Sequence, residues 1–444
     1  MATELKEKEN SYRETFRALQ ESRGVESSWL NHLRQNAMER FAELGFPSVK
    51  EEEWKYTNVA AIARSNFQPA GSSELQQNLG AELALGSVPE GRSSQLVFVD
   101  GILRSDLSSL RALPEQVVAI DLAQALADER YSEIARTHLA READYVVNGF
   151  TALNTAFINH GAFVYIPKGV IVEAPIHLFF TVQSESTANF PRVLVIAEEN
   201  SSATIVENYV SNQEAQYLTA PVVEIVLLEG ARLEHYKVQR ESIEAFHVAN
   251  TAVGLGRNSS YDTTTITFGA KLSRHDIVVT MDHEGAECWI DGLYLVTGDQ
   301  HADTHSVIDH RQPNCTSHQL YKGILDGKSR AVFNGKVFVR HNAQKTDAMQ
   351  TNKNLLLSND ARVDTKPQLE ILADDVKCAH GAAVGQIDEE ELFYLETRGL
   401  HPDLGRNLLT YGFAEEVIAK IKLESIRNEL DEAVLHRLNA RLEA

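Results

Sequence analysis

Apolar positions near the N-terminus follow a helical rhythm. Leu30, Leu33, Ala37, Phe41 and Leu44 recur in steps of three and four, which places them on one helix face. Gly45 and Pro47 then stop that helix. Residues 65–94 are rich in Ser, Gln, Gly and Asn and read as an irregular excursion. A second helix is predicted from Asp121, as N-cap, through Leu122, Leu126, Ile134 and Leu139. Near residue 160 the rhythm changes. Short β-rich runs follow one another, among them Phe163–Ile166, His177–Val182, Val193–Ile196, Val222–Leu228, Thr263–Phe268, Ile277–Thr280 and Val337–Val339. Several of the turns share a form, with markers at Gly230, Asn258 and Gly285, and a further one at Gly327. The first three are 28 and 27 residues apart. Such a quasi-period predicts a solenoid of strands, each coil covering the apolar face of the next. A β-sandwich with similar turns is the alternative, although 200 residues would be large for one. Helical spacing returns after residue 386. Asp388 with Glu391 forms a capping-box-like start, and Leu430, Val434, Leu438 and Leu442 recur every fourth residue, with Leu435 beside them. These helices are expected to cover the open end of the solenoid, where strand edges would otherwise be bare.

The pattern divides the 444 residues into an N-terminal helical or mixed domain (1–150), a β core (151–386) and a C-terminal helical domain (387–444). Composition narrows the class. With 63 acidic against 42 basic residues the net charge is −21, which excludes nucleic acid and anionic membrane surfaces as partners of the bulk field. No apolar run is long enough for a membrane span, and the acidic, Lys-interspersed start resembles neither a secretory signal nor a transit peptide. A cytoplasmic location is expected. The three cysteines, Cys288, Cys315 and Cys378, form neither a disulfide framework nor a C-x-x-C pair.

Two constellations could carry metal chemistry. In Lys377-Cys378-Ala379-His380-Gly381 a thiol and an imidazole are two residues apart, so on a strand they share a face. Both can ligate iron or zinc, but two ligands do not close a site, and the rest would come from a second subunit. The alternative is a buried Cys beside a locally bonded His. In Gln300–His305, His301, Asp303 and His305 would likewise share a face. Their spacing of about 7 Å along an extended strand favours a polar outer surface or a subunit contact over one metal ion. Phosphate-loop, nucleophile-elbow and H-E-x-x-H signatures are absent; Gly323 with Gly327-Lys328-Ser329 misses the phosphate-loop spacing by one residue.

The stretch Asn354–Leu400 (NLLLSNDARVDTKPQLEILADDVKCAHGAAVGQIDEEELFYLETRGL) resembles the signature of the SufB/SufD family of iron–sulfur cluster assembly proteins. So do Gln319-Leu320-Tyr321-Lys322-Gly323, Phe333-Asn334-Gly335-Lys336-Val337, Ala343-Gln344-Lys345-Thr346-Asp347 and Phe163–Gly169, over roughly residues 150–415. The Cys378-Ala379-His380-Gly381 step, and Gly45-Phe46-Pro47-Ser48 with Glu52-Glu53-Trp54-Lys55-Tyr56-Thr57-Asn58, are similar to the SufD branch. The resemblance implies a mainly β chain: a right-handed parallel β-helix core flanked by N- and C-terminal helical domains. It implies a non-enzymatic scaffold with no permanently bound cofactor. Such a chain pairs with a SufB-like subunit through the β-helix and binds a SufC-like ABC-type ATPase through the C-terminal helices. A homodimer in isolation is the alternative assembly. The family's ligand His maps onto His380, with Cys378 as its neighbour, for a transient iron–sulfur cluster whose remaining ligands come from SufB. Two rivals stand beside this reading. One is a β-helix enzyme acting on polysaccharide. The other is a SufB-like scaffold accepting persulfide sulfur, for which Cys288 or Cys315 would serve.

Overall fold

The computed structural model describes residues 2–22, 27–65, 67–69, 79–86, 88–211 and 214–437. Its centre is a parallel β-solenoid of about eight turns, in which the chain alternates between two sheets. The first sheet runs through Val118–Asp121, Gly161–Ile166, Arg192–Ala197, Val222–Leu227, Phe246–Leu255, Leu272–Met281, His301–His310, Arg330–Val339 and Arg362–Ile371. The second runs through Ile102–Leu103, Gln95–Val99, Ile176–Thr181, Ser202–Val210, Arg232–Arg240, Ser260–Thr267, Glu287–Val296, Thr316–Leu325, Asp347–Leu356 and Lys377–Gly385. Along these two paths pairing is parallel except at the N-terminal end, where Val118–Asp121 and Ile102–Leu103 pair antiparallel with their neighbours.

The turn spacing read from sequence is the coil length. Arg232 pairs with Ser260 and Ser260 with Glu287, 28 and 27 residues on, and the ladder continues to Thr316, Asp347 and Lys377. The markers are the left-handed residues of one turn column: Asn200, Gly230, Asn258, Gly285, Asn314 and Lys345 all have φ between 51° and 72°. A Cβ on Gly230 would overlap Asn200 Oδ1, and one on Gly285 would overlap Asn258 Oδ1. Glycine is therefore required where an Asn amide of the previous coil lies over the turn. Gly327 differs from the other markers. It lies on the opposite edge, stacked over Gly298, in the turns that lead from the second sheet back to the first.

The predicted N-terminal helix is Ser28–Leu44, ended by Gly45 at φ 64° with its N–H on Phe41 O. The helix predicted from Asp121 is two helices, Leu122–Ala127 and Glu129–His138. Asp121 caps the first, and Asp128 restarts the chain by accepting from Arg130 N. Within the predicted excursion 65–94, Gly80–Leu85 is helical, and residues 66, 70–78 and 87 lie outside the described residues. N-terminal elements pack Phe41, Trp54, Phe150 and Phe157 against Phe246, Val248 and Leu272 on the outside of the first sheet.

The C-terminal helices Pro402–Ile418 and Glu424–Arg437 do not cover the end of the solenoid, contrary to the expectation. They lie along the outer face of the second sheet, where Val417, Ile421, Ile426, Leu430 and Val434 pack with Val206, Tyr236, Val238 and Leu293. That sheet face is apolar over several coils, and the helices remove it from water. Lys420 and Lys422 fasten the helices to Asp291 and Glu234. Leu438 and Leu442 of the predicted repeat lie outside the described residues. Asp388 caps the helix Glu389–Thr397 by accepting from Glu390 N and Glu391 N.

Candidate functional site at the open end of the solenoid

Cys378 and His380 lie on the last strand, Lys377–Gly385, and share the face that points into the solenoid. Cys378 continues an inward column through Ala348, Ser317 and Cys288, and packs against the main core. His380 continues the column of Gln350 and Gln319. Nothing among the described residues follows this strand in its sheet, so Cys378 is half-buried and His380 exposed. Burial raises the Cys378 thiol above the usual cysteine range. The surrounding end surface exposes Ile371, Leu372 and Val384 together with the strand edges. No group of three His, Cys, Asp or Glu residues is gathered for a metal ion among the described residues. Cys378 and His380 can supply two soft-to-borderline ligands, and two do not close a metal site.

The other sequence candidates have different settings. Cys288 is fully buried, and burial holds its thiol far above the usual range; Cys315 is buried and bonds His283 O at 3.3 Å. Neither offers an accessible thiolate. His301, Asp303 and His305 do share the outer face of the first sheet, and there they receive the segment Glu52–Thr57. Asp303 accepts from Thr57 Oγ1 at 2.6 Å and from Arg274 at 2.8 Å, and lies 3.0 Å from His305 Nε2. His301 Nε2 is 2.9 Å from Thr57 Oγ1. Arg274 stacks over the Trp54 ring at 3.7 Å and donates to Glu53 O. Glu53 also pairs with His305 and Lys336, and Glu52 with Lys366. This is a docking seam for the N-terminal segment rather than a metal triad. Desolvation opposes the His305 charge, but Asp303 and Glu53 outweigh it and raise the imidazole to about 9. Desolvation also opposes the Asp303 charge, and Arg274 with His305 holds that carboxylate well below the usual range.

Sequence reasoning missed Arg274 altogether. An isolated Arg in a β-rich run carries no signal without the Trp54 that covers it. It also passed over Phe393 and Tyr394, which stand 66% and 56% exposed on the acidic helix Glu389–Thr397. Two aromatics just after an acidic first turn were the available signal, since large exposed aromatics mark contact surfaces.

A two-sheet parallel solenoid with helices at both ends of the chain, and a thiol–imidazole pair on its last strand, defines a class of β-solenoid protein with a two-ligand candidate site. The chain belongs to the SufBD family. The model of the "SUF system FeS cluster assembly, SufBD core domain" matches residues 179–413, and that of the "SufBD protein N-terminal region" matches residues 6–178. The chain is 37% identical to the iron–sulfur cluster assembly SufBD family protein slr0076 of Synechocystis sp. over 421 residues, covering 93% of this chain and 92% of that protein. It is 32% identical to the iron–sulfur cluster assembly protein SufD of Escherichia coli over 415 residues, covering 92% of each. It is also 32% identical to Protein ABCI7, chloroplastic, of Arabidopsis thaliana over 412 residues, covering 90% of this chain and 84% of that protein. The resemblance to the SufD branch thus extends over most of the chain. No described helix is long and apolar enough to cross a membrane. Because one relative is named as chloroplastic, family membership does not by itself make the chain cytoplasmic.

Proposed function

We propose that the chain is a non-enzymatic scaffold subunit for iron–sulfur cluster assembly in the cytoplasm. In this reading His380, with Cys378 beside it, supplies this chain's share of the ligands to a nascent cluster, which is cargo rather than a resident cofactor. The observation that carries the reading is the uncovered inward face of the last strand. A Cys and a His end two otherwise buried columns there, at a surface of bare strand edges and exposed apolar side chains. Unpaired edges and an apolar rim suit a second solenoid, so a SufB-like subunit is assigned to this end, with a second copy of this chain as the alternative when it is alone. A SufC-like ATPase is assigned to the C-terminal helices, where Phe393 and Tyr394 are exposed.

Family membership supports assembly over a polysaccharide-acting enzyme. The buried settings of Cys288 and Cys315 count against a persulfide acceptor in this chain. The test is co-expression with SufB-like and SufC-like subunits, followed by anaerobic absorption spectra and complementation of cluster maturation in cells. His380→Ala is expected to leave the fold and the complex intact and to abolish maturation. Full maturation by that variant would overturn the ligand assignment. Removing residues 388–444 is a poor test of ATPase docking, because it uncovers Val206, Tyr236 and Leu293. The double change Phe393→Ala and Tyr394→Ala is expected instead to abolish co-purification of the ATPase; undiminished co-purification counts against that surface.

A further inference from the structure

A line of amides runs inside the solenoid toward His380. Gln319 Nε2 donates to Ser306 Oγ at 2.7 Å, and Gln350 Nε2 donates to Gln319 Oε1 at 2.8 Å. The line stops at Gln350 Oε1, which has no hydrogen-bond partner although the residue is 2% exposed. A buried carbonyl oxygen left without a donor costs about 1–3 kcal/mol, so an orphan of this kind calls for a reason. The fold also makes specific room for this amide. Gly335 faces it across the interior, and a Cβ there would overlap Gln350 Nε2. Gln319 and Gly335 belong to two of the stretches that carry the family resemblance, Gln319–Gly323 and Phe333–Val337, and the site as described gives neither a role.

Gln350 pairs in register with His380. In-register neighbours on parallel strands project to the same face about 4.8 Å apart, within reach of one hydrogen bond by a side-chain rotation. A neutral imidazole that ligates through one nitrogen is normally held through the other by an acceptor, which sets both tautomer and ring direction.

We propose that Gln350 is a positioning residue for His380: its Oε1 accepts one imidazole N–H and leaves the other ring nitrogen, with its lone pair, facing out of the open end. The inference rests on the ligand reading of His380. Ser306 and Gln319 hold the Gln350 amide with its oxygen toward the last strand, and Gly335 keeps the space in which it lies. An amide acceptor adds no charge next to the site, so it orients the ring without drawing a proton onto it.

The test uses the full-length chain labelled with 15N-histidine, without metal, at a pH where the ring is neutral. The His380 ring signals are assigned by their loss in His380→Ala. The wild-type ring is expected to favour one tautomer about fivefold over the ratio of a free imidazole, which is what a net hydrogen bond of about 1 kcal/mol produces. Gln350→Met should abolish that bias while leaving the unfolding cooperative. A purely structural role for Gln350 would move the unfolding temperature but not the tautomer ratio. An unchanged ratio in folded Gln350→Met overturns the proposal. Should Gln350→Met not fold, Gly335→Ala, which displaces the amide from the opposite wall, carries the same expected and overturning outcomes. If His380→Ala supports full maturation while Gln350→Met shifts the tautomer, the ligand reading falls and the positioning contact stands. If His380→Ala abolishes maturation and the tautomer does not respond, only the positioning contact falls.

Discussion

The two ends of the solenoid are built on opposite principles. At the N-terminal end Phe98, Phe180 and Tyr209 stack in the interior with ring centroids 4.9 and 5.0 Å apart, and the antiparallel strands Ile102–Leu103 and Val118–Asp121 finish the sheets. At the C-terminal end the amides of Gln319 and Gln350 line up inside the solenoid, and of the last strands Arg362–Ile371 is half-buried and Lys377–Gly385 largely exposed. One end is closed by aromatic packing and chain direction. The other keeps its pairing capacity and places Cys378 and His380 at the rim. An unpaired strand edge is prone to aggregate, and no described residue caps this one, which is the ground on which a partner is proposed for it.

Three measurements break or sharpen this contrast. The largest effect should fall away from the open end. Arg274 is buried between Asp276, Asp303 and the Trp54 ring, and Arg274→Ala leaves two buried carboxylates short of their cation. A loss of about 3–5 kcal/mol is expected in denaturant unfolding. A loss below about 1 kcal/mol would mean that the docked segment adds little to the closed body of the molecule.

The second effect is on pH dependence in the same seam. The folded-state value of His305 is raised to about 9 from an ordinary value near 6.5. Its stabilising contribution is therefore full below about 6.5 and is lost as pH rises through about 9. The size should be on the order of 3 kcal/mol at most. For Asp303 the sign reverses: its folded-state value is depressed, so its contribution is present above the ordinary carboxylate range and is lost in acid. His305→Gln should flatten the alkaline part of the profile, and a wild-type profile flat between those limits would contradict the pairing. The smallest effect belongs to the open end. His380→Ala should shift stability by about 1 kcal/mol, the net worth of one hydrogen bond to Gln350, since the side chain is otherwise exposed. A larger loss would show that the rim is part of the structural core and remove the contrast between the ends.

Much of the architecture was legible because it repeats. The steps from Gly230 to Asn258 to Gly285 are the coil length, since only a left-handed residue fits each of those turns. The helix Ser28–Leu44 was readable from one apolar stripe and its glycine stop. Many strands were not. Arg232–Arg240 and Thr316–Leu325 turn His235, Lys237 and Gln319 into the interior, so polar residues occupy inward positions and the expected alternation disappears. His235, for example, is buried between Glu207 and Tyr261, 2.8 Å from each. No periodicity distinguishes such a satisfied interior imidazole from a surface one.

The sequence by itself determined the coil length, the helical character of both chain ends and the pairing of Cys378 with His380 on one strand face. Each of these follows from local geometry: turn conformation, helical period and the two-residue repeat of a strand. Only the tertiary structure decided which end of the solenoid stays open, that the C-terminal helices lie along a sheet, and that His301, Asp303 and His305 hold Glu53 and Thr57 rather than a metal. Those outcomes depend on contacts between residues more than 180 positions apart, such as Lys422 with Glu234 and Thr57 with Asp303, for which local pattern holds no record.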